Sequence, residues 1–152
     1  MKKFLLIIIA FFLIAAGKAQ RGIDGITFME NRQEAMKELI NKFGHPVSEV
    51  GNKVVFKNVL FNGDKYSEAD VFFNGNSCLY IIRLRTICKS RPEAIEHMKT
   101  LWKKYAEVYN TTEGMNAEDG RFVVGYDKDG TRFLLLLPSV IVVSYRLVPF
   151  KF

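Results

Sequence analysis

The sequence predicts an α+β fold, with two tandem α-β-β-β repeats that form a six-stranded antiparallel sheet with two helices on one face. Two amphipathic helical segments are each followed by three segments rich in β-branched and aromatic residues. Short turns of Asn, Gly and Pro join the strands of each set, which favours antiparallel pairing over parallel crossovers. The helical starts Asn31–Ala35 and Ser90–Ala94 lie 59 residues apart, so we expect an internal repeat, about 27–88 and about 90–148.

The first helix is predicted over roughly 31–43, where apolar residues recur at helical spacing. Its start has two candidate capping boxes, Asn31 with Glu34 and Thr27 with Glu30. Gly44 and Pro46 end it. The second helix is predicted over roughly 91–109, with a capping box formed by Ser90 and Glu93. We expect both helices to pack their apolar stripes on the sheet, and Trp102 belongs to the second stripe.

Six strands follow from the alternation of apolar and polar residues and from the turn signals between them. The polar segment 110–120 has no apolar periodicity and is predicted to be a mobile loop. The predicted strands are Lys53–Phe61, Ala69–Phe73, Cys78–Ile87, Arg121–Tyr126, Thr131–Leu137 and Val140–Val148.

Residues 1–19 have the three parts of a secretory signal peptide. Lys2 and Lys3 precede an unbroken apolar run over 4–16, and Gly17 and Ala19 are small residues before a cut at Gln20. As a helix the run rises only about 20 Å, short of a roughly 30 Å hydrocarbon core, which favours a cleaved signal over a membrane anchor. We therefore expect 20–152 to be a single periplasmic or secreted domain with no membrane span.

The basic excess of the chain depends on that segment. The net charge is +6, from 22 basic and 16 acidic residues. Three lysines and no acids lie in 1–19, so the remaining chain carries +3. Because its basic residues are also dispersed rather than clustered, we expect no nucleic-acid partner.

The two cysteines, Cys78 and Cys88, lie at opposite ends of one predicted strand. Ten residues of strand span about 33 Å, whereas bridged cysteines need Cα atoms within about 7 Å. This geometry favours free thiols, although an oxidising compartment favours a disulfide. Two histidines and two distant cysteines also make a poor metal signal, and we expect neither a metal nor a cofactor.

No residues in the sequence form a catalytic pattern. His45 lies in the turn that ends the first helix, and His97 lies beside the apolar stripe of the second. Neither has a serine or cysteine nucleophile close to it in the sequence, so we expect no enzyme activity and assign no catalytic residue.

Two helices can cover only one face of such a sheet, so the other must meet water or a partner. In the last strand of each set one side is fully apolar, and the other runs from apolar residues to arginine. Phe133–Leu137 is apolar on both sides, so it adds an apolar strip to the uncovered face. Apolar surface beside arginine is typical of protein-binding sites, although arginines also simply keep an exposed face soluble. The candidate binding residues are Leu79, Ile81, Arg83, Arg85, Val142, Ser144 and Arg146.

Gly25-Ile26-Thr27 before the first helix and Phe43-Gly44-His45-Pro46 after it carry a resemblance to known families. They resemble the frame of the beta-lactamase-inhibitor-protein-like fold and of the SmpA/OmlA outer-membrane-assembly domain. The chain is also similar to small secreted proteins of unknown function from Bacteroidetes-type bacteria. The resemblance implies the same order of helices and antiparallel strands and a function performed by a surface, with no catalytic residue carried over.

From these observations we expect an exported, non-enzymatic binding protein that uses the uncovered sheet face to engage a protein or cell-envelope component. The alternative is a small-ligand carrier with a pocket between the sheet and the helices.

Overall fold

The computed structural model of the chain describes residues 22–117, 120–128, 130, 132–138 and 142–147. The predicted signal peptide, residues 1–19, lies outside the described residues. The side chains of 116 and 137–147 also lie outside the description, so β-strand 142–147 is described by its backbone alone.

The described chain is α+β, with two helices and ten strands. The helices are α1 (Arg32–Phe43) and α2 (Arg91–Ala106). The strands are β1 (Gly22–Ile23), β2 (Ile26–Thr27), β3 (Ser48–Val50), β4 (Lys53–Phe61), β5 (Asp64–Phe73), β6 (Leu79–Ile87), β7 (Asn110–Asn116), β8 (Gly120–Tyr126), β9 (Arg132–Pro138) and β10 (Val142–Leu147).

Helix α1 begins at the first of its two predicted capping boxes. The side chain of Asn31 accepts a hydrogen bond from the Glu34 backbone N–H at 3.1 Å, and Gly44 ends the helix with a positive φ. The other box is wrong because Thr27 belongs to β2. There the Glu38 carboxylate accepts from both the backbone N–H and the hydroxyl of Thr27, which ties the β1–β2 hairpin to the helix.

Helix α2 begins as predicted, with Ser90 at its N-cap accepting from the Glu93 backbone N–H. Its C-terminus lies at Ala106, three residues before the predicted end at Tyr109. Among the described residues, no helix is both long and apolar enough to cross a membrane.

Eight of the described strands form one antiparallel sheet in the order β3-β4-β5-β6-β10-β9-β8-β7. The six predicted strands correspond to its inner members, although β5 begins at Asp64 and not at the predicted Ala69, and β3 and β7 add one strand at each edge. The prediction of a mobile loop over 110–120 is wrong for 110–116, which pair with β8 along their whole length. Strand β7 lacks alternating apolar residues, and its backbone hydrogen bonds with β8 satisfy its polar groups and hold it in the sheet.

The core lies between the helices and one face of the sheet. Helix α1 contacts this face through Phe43, whose ring is 5.4 Å from that of Phe56 in β4. Helix α2 lies over the second half of the sheet, where the Trp102 indole N–H donates to the Thr111 hydroxyl of β7 at 2.9 Å. The ring of Tyr109, just beyond α2, lies 5.4 Å from that of Phe133 of β9, with the two ring planes tilted by 36°. Leu39, Ile82, Leu84, Met98 and Leu134 are fully buried in this single core.

Candidate functional site

The cross-strand pairing defines which residues share the uncovered side of the sheet. Residues directly opposite each other in antiparallel strands point to the same face. The row of Val54, Val71, Ile82 and Leu134 is buried beneath the helices. The residues next to this row along each strand point to the other side, which we call the open face. Its described side chains include Lys53, Val55, Lys57, Glu68, Asp70, Phe72, Ile81, Arg83, Arg85, Val124 and Leu135.

Three of the predicted binding residues, Ile81, Arg83 and Arg85, lie on the open face as expected and are partly exposed. The three predicted residues of β10 are placed by their backbone register. Val142 lies opposite Ile87, Ser144 opposite Arg85, and Arg146 opposite Arg83. The fold therefore brings the two arginine-containing strands side by side, although they are about 60 residues apart in sequence.

The prediction for Leu79 is wrong. Its side chain is fully buried in the core, because the β5–β6 register shifts between Phe72 and Phe73. Phe72 pairs with Ile81 and Phe73 pairs with Leu79, so Tyr80 is an extra residue in β6. Such a bulge reverses the alternation of sides, which a strict two-residue period does not predict.

Two acidic residues of β5, Asp70 and Glu68, form ion pairs with the cations of the open face, although neither belongs to the predicted site. Asp70 has a side chain only 1% exposed, although it lies on the open face. Its Oδ1 is 3.0 Å from Nζ of Lys53, and its Oδ2 is 3.0 Å from Nη2 of Arg85. Glu68, 14% exposed, contacts both Lys57 and Arg85. The cations of β4 and β6 thus converge on carboxylates of the strand between them.

Within this cluster the basic side chains are exposed to solvent, and the acidic side chains are buried beneath them. The side chains of Lys53, Lys57, Arg83 and Arg85 are 34–50% exposed, whereas those of the two acids are 14% exposed or less. Four positive charges face two negative ones, so this half of the open face is electropositive towards solvent. Some of the charge is compensated from below, which reduces the cost of desolvating the cations against a partner.

An aromatic ring lies within the charged cluster. The Phe72 ring is 5.7 Å from the Lys53 ammonium and 5.2 Å from the Arg83 guanidinium, within cation–π range. Phe72 also lies directly opposite Ile81. Val124 and Leu135 are paired across β8 and β9 and point to the same side, where Leu135 is partly exposed and Val124 is only 6% exposed. The predicted mixture of aliphatic residues and arginine is therefore present, but Asp70 and Glu68 are part of it.

A sequence signal for these acids exists. Lys53 and Lys57, Glu68 and Asp70, and Arg83 and Arg85 are each separated by an even number of residues, which places each pair on one side of its strand. Opposite charges on adjacent strands of a meander stabilise each other when they fall on the same face. The alternation of charged residues along these strands therefore predicts the cluster, which the apolar alternation alone does not.

A surface cavity of about 440 Å³ lies outside this cluster, near the turn of the β4–β5 hairpin. Its lining residues are Asn58, Val59, Leu60, Lys65, Tyr66 and Ser67, all from these two strands. Asn58 has a positive φ of 53° in the middle of β4. The cavity is therefore not formed between the sheet and Trp102, where the small-ligand alternative places its pocket. The side chains of Met98, Leu101 and Tyr105 on α2 are packed there with exposures of 1% or less.

The histidines and cysteines lie apart from the open face. His45 is exposed after α1, and His97 is half-buried on α2. Cys78 and Cys88 are both free, as the strand length between them predicts. Within the described ranges, no three His, Cys, Asp or Glu side chains converge in a way that could hold a metal ion.

Comparison of the chain with protein-family models, with curated proteins and with solved structures finds no match.

Proposed function

We propose that this protein is an exported, non-enzymatic binding protein that engages a protein or cell-envelope partner through the open face. One observation carries the proposal: on the side of the sheet opposite both helices, the partly exposed cations of Lys53 and Arg83 flank the half-buried Phe72, which lies opposite Ile81. Apolar surface provides burial on association, and arginine provides directional donors for acidic or carbonyl groups. Interfaces concentrate their binding energy in such aromatic and arginine positions.

The experiment that tests this proposal is capture from the native cell envelope, with identification and quantification of the captured proteins by mass spectrometry. The bait carries Ile81→Glu, Val142→Glu or both. The matched control is Val108→Glu, because Val108 is 69% exposed just beyond α2 and away from the open face. A partner that is captured by wild type and by the control, and lost with the open-face variants, supports the proposal. Equal capture by all baits overturns it.

Export is part of the same proposal and has its own test. Intact-mass measurement of the protein from its native host should give a mature chain that begins at Gln20. A full-length chain retained in the cytoplasm contradicts export and leaves the binding role of the open face to be judged by the capture experiment alone.

We also propose that the fold arose by duplication. Helix α1 is followed by β3–β6 and helix α2 by β7–β10, and each set forms an antiparallel meander. The last strands of the two sets, β6 and β10, pair antiparallel at the centre, as a local two-fold axis requires. Arg83 and Arg146 lie opposite each other there. The resemblance to the beta-lactamase-inhibitor-protein-like fold implies this order of helices and antiparallel strands, and we propose with it a function performed by a surface.

A further inference from the structure

Arg83 and Arg85 are two residues apart on the open face, but their hydrogen bonding differs. Arg85 donates from Nη2 to Asp70 Oδ2 at 3.0 Å and also contacts Glu68. The closest approach of Arg83 to Asp70 is 3.8 Å, between Nη1 and Oδ2, which is beyond hydrogen-bond distance. The Nε atoms of Arg83 and Arg85 are both buried without a hydrogen-bond partner within the described structure, so the difference between the two arginines lies in their terminal Nη atoms. The guanidinium of Arg83 is therefore close to an acid without donating to it.

Asp70 is already committed to other cations. Lys53 lies 3.0 Å from its Oδ1 and Arg85 lies 3.0 Å from its Oδ2. Both carboxylate oxygens thus have a charged partner, and Arg83 adds only a longer-range attraction. The terminal N–H groups on Nη1 and Nη2 of Arg83, unlike the buried Nε, form a planar fork that matches a carboxylate in two parallel hydrogen bonds.

Phe72 holds this fork in place. The Cζ of Arg83 lies 5.2 Å from the centre of the Phe72 ring, and stacking on an aromatic ring restricts the rotamers of an arginine. Because less side-chain entropy remains to be lost, a pre-organised donor binds more tightly than a free one. Ile81, on β6 with Arg83, lies opposite Phe72 of β5, so an apolar pair of side chains adjoins the guanidinium fork.

We propose that Arg83 forms a bidentate salt bridge with a carboxylate of an acidic protein segment, while an apolar side chain of that segment covers Phe72 and Ile81. This inference rests on the proposed function and names the partner chemistry of the same face. Charge complementarity favours this occupant, because the cluster has two more cations than acids and presents the cations outermost. A polyanion such as nucleic acid needs a continuous track of cations, whereas Asp70 and Glu68 interrupt this one.

The test is a nuclear magnetic resonance titration of the mature protein with a six-residue peptide that alternates glutamate and leucine. The Arg83 Nε–H and the Ile81 methyl signals are followed. We expect saturable shifts of both signals, and none with the peptide that has lysine in place of glutamate. Arg83→Lys keeps the charge but loses the fork, so it should weaken binding about tenfold. Arg121→Lys is the matched control. Arg121 lies on β8, where its Nε is 2.7 Å from a carboxylate oxygen of Glu113 on β7, and its substitution should leave the affinity for the peptide unchanged.

Three results overturn the inference. One is the absence of a saturable shift at Arg83 up to millimolar peptide. Another is equal affinity of wild type and Arg83→Lys. The third is binding to phosphatidylglycerol vesicles in preference to the glutamate peptide, which assigns the face to a lipid surface. If any of these occurs while Ile81→Glu still abolishes capture of the native partner, the proposed function stands and only the partner chemistry assigned here fails.

Discussion

Asp70 Oδ2 lies 3.0 Å from Nη2 of Arg85, and the Asp70 side chain is 1% exposed although no described helix covers that side of the sheet. Lys53, Arg83 and Arg85 all lie within 3.8 Å of this carboxylate and are 34–42% exposed. Long cationic side chains bury their aliphatic stems while their charged ends reach solvent. A buried acid on an open face thus positions the cations of the two neighbouring strands. The charge of the face is therefore built into the fold and is not a loose collection of surface side chains.

Asp70→Asn should destabilise the fold by about 1–3 kcal/mol, because it removes the acceptor of a charge-assisted hydrogen bond and leaves cations with one neutral neighbour. The cations are partly exposed and can rehydrate, which keeps the loss below that of a fully buried pair. Urea unfolding measures it. Glu96→Gln is the control, because that exposed helical pair with Lys99 should change stability by no more than about 0.5 kcal/mol. Equal effects of the two substitutions would show that Asp70 has no special role.

Gly125→Ala should destabilise the second half of the sheet. A Cβ at this position would lie 2.9 Å from Cβ of Leu134 on β9, and Leu134 is fully buried. Overpacking of this kind costs about 1–3 kcal/mol. A Cβ at Gly75 meets nothing within 4 Å, so Gly75→Ala is the matched control and should be nearly neutral. If thermal unfolding of the two variants is indistinguishable, the β8–β9 packing is wrong.

The fold should lose stability in alkaline solution above about pH 10. Burial, followed by the nearby charge of Asp127, raises the pKa of Tyr109 from 10.0 to about 12, and burial also raises the pKa of Tyr66. A raised pKa means that the folded state favours the neutral phenol. The resulting stability is fully present below the unfolded pKa of 10.0 and falls as pH rises through the folded value.

Urea unfolding between pH 7 and pH 11 measures this dependence in wild type and in Tyr109→Phe. The variant lacks one of the two ionisations, so its free energy of unfolding should fall less steeply above pH 10. Identical slopes for the two proteins would mean that Tyr109 does not ionise on unfolding.

Cys78 should react with iodoacetamide several-fold faster than Cys88 in the native protein. Cys78 is partly exposed, whereas Cys88 is 5% exposed, and its burial, with a smaller effect of Glu93, raises the pKa of its thiol. Thiolate is the reacting form, so both burial and the raised pKa slow Cys88. In urea the two rates should converge. Peptide mapping that finds equal native rates would contradict the buried position of Cys88 after β6.

Local signals predicted most of the elements. The Asn31 and Ser90 caps begin the helices where expected, and Asn62 and Gly63, both with positive φ, form the predicted turn between β4 and β5. These features depend on residues within one turn of each other, so the sequence carries them directly. Strand β7 could not be predicted in this way, because the segment Asn110–Asn116 has no apolar side and is ordered by pairing with β8.

The candidate site was predicted in part. The alternation of β6 placed Ile81, Arg83 and Arg85 together, but the bulge at Tyr80 moved Leu79 into the core. The alternation of apolar residues does not predict the burial of Asp70, because that burial depends on side chains from two other strands. Cross-strand contacts of this kind arise from register, which a sequence specifies only through the whole sheet.

Lysine footprinting in the presence of native envelope extract tests the role of the open face most directly. Lys53 and Lys57 lie on that face with exposures of 42% and 50%, and Lys37 and Lys99 lie on the helices with 63% and 50%. Brief acetylation followed by quantitative mass spectrometry compares the four lysines with and without extract. We predict that Lys53 and Lys57 lose reactivity while Lys37 and Lys99 keep it. Protection of the helical lysines, with Lys53 and Lys57 unchanged, would contradict a binding role for the open face.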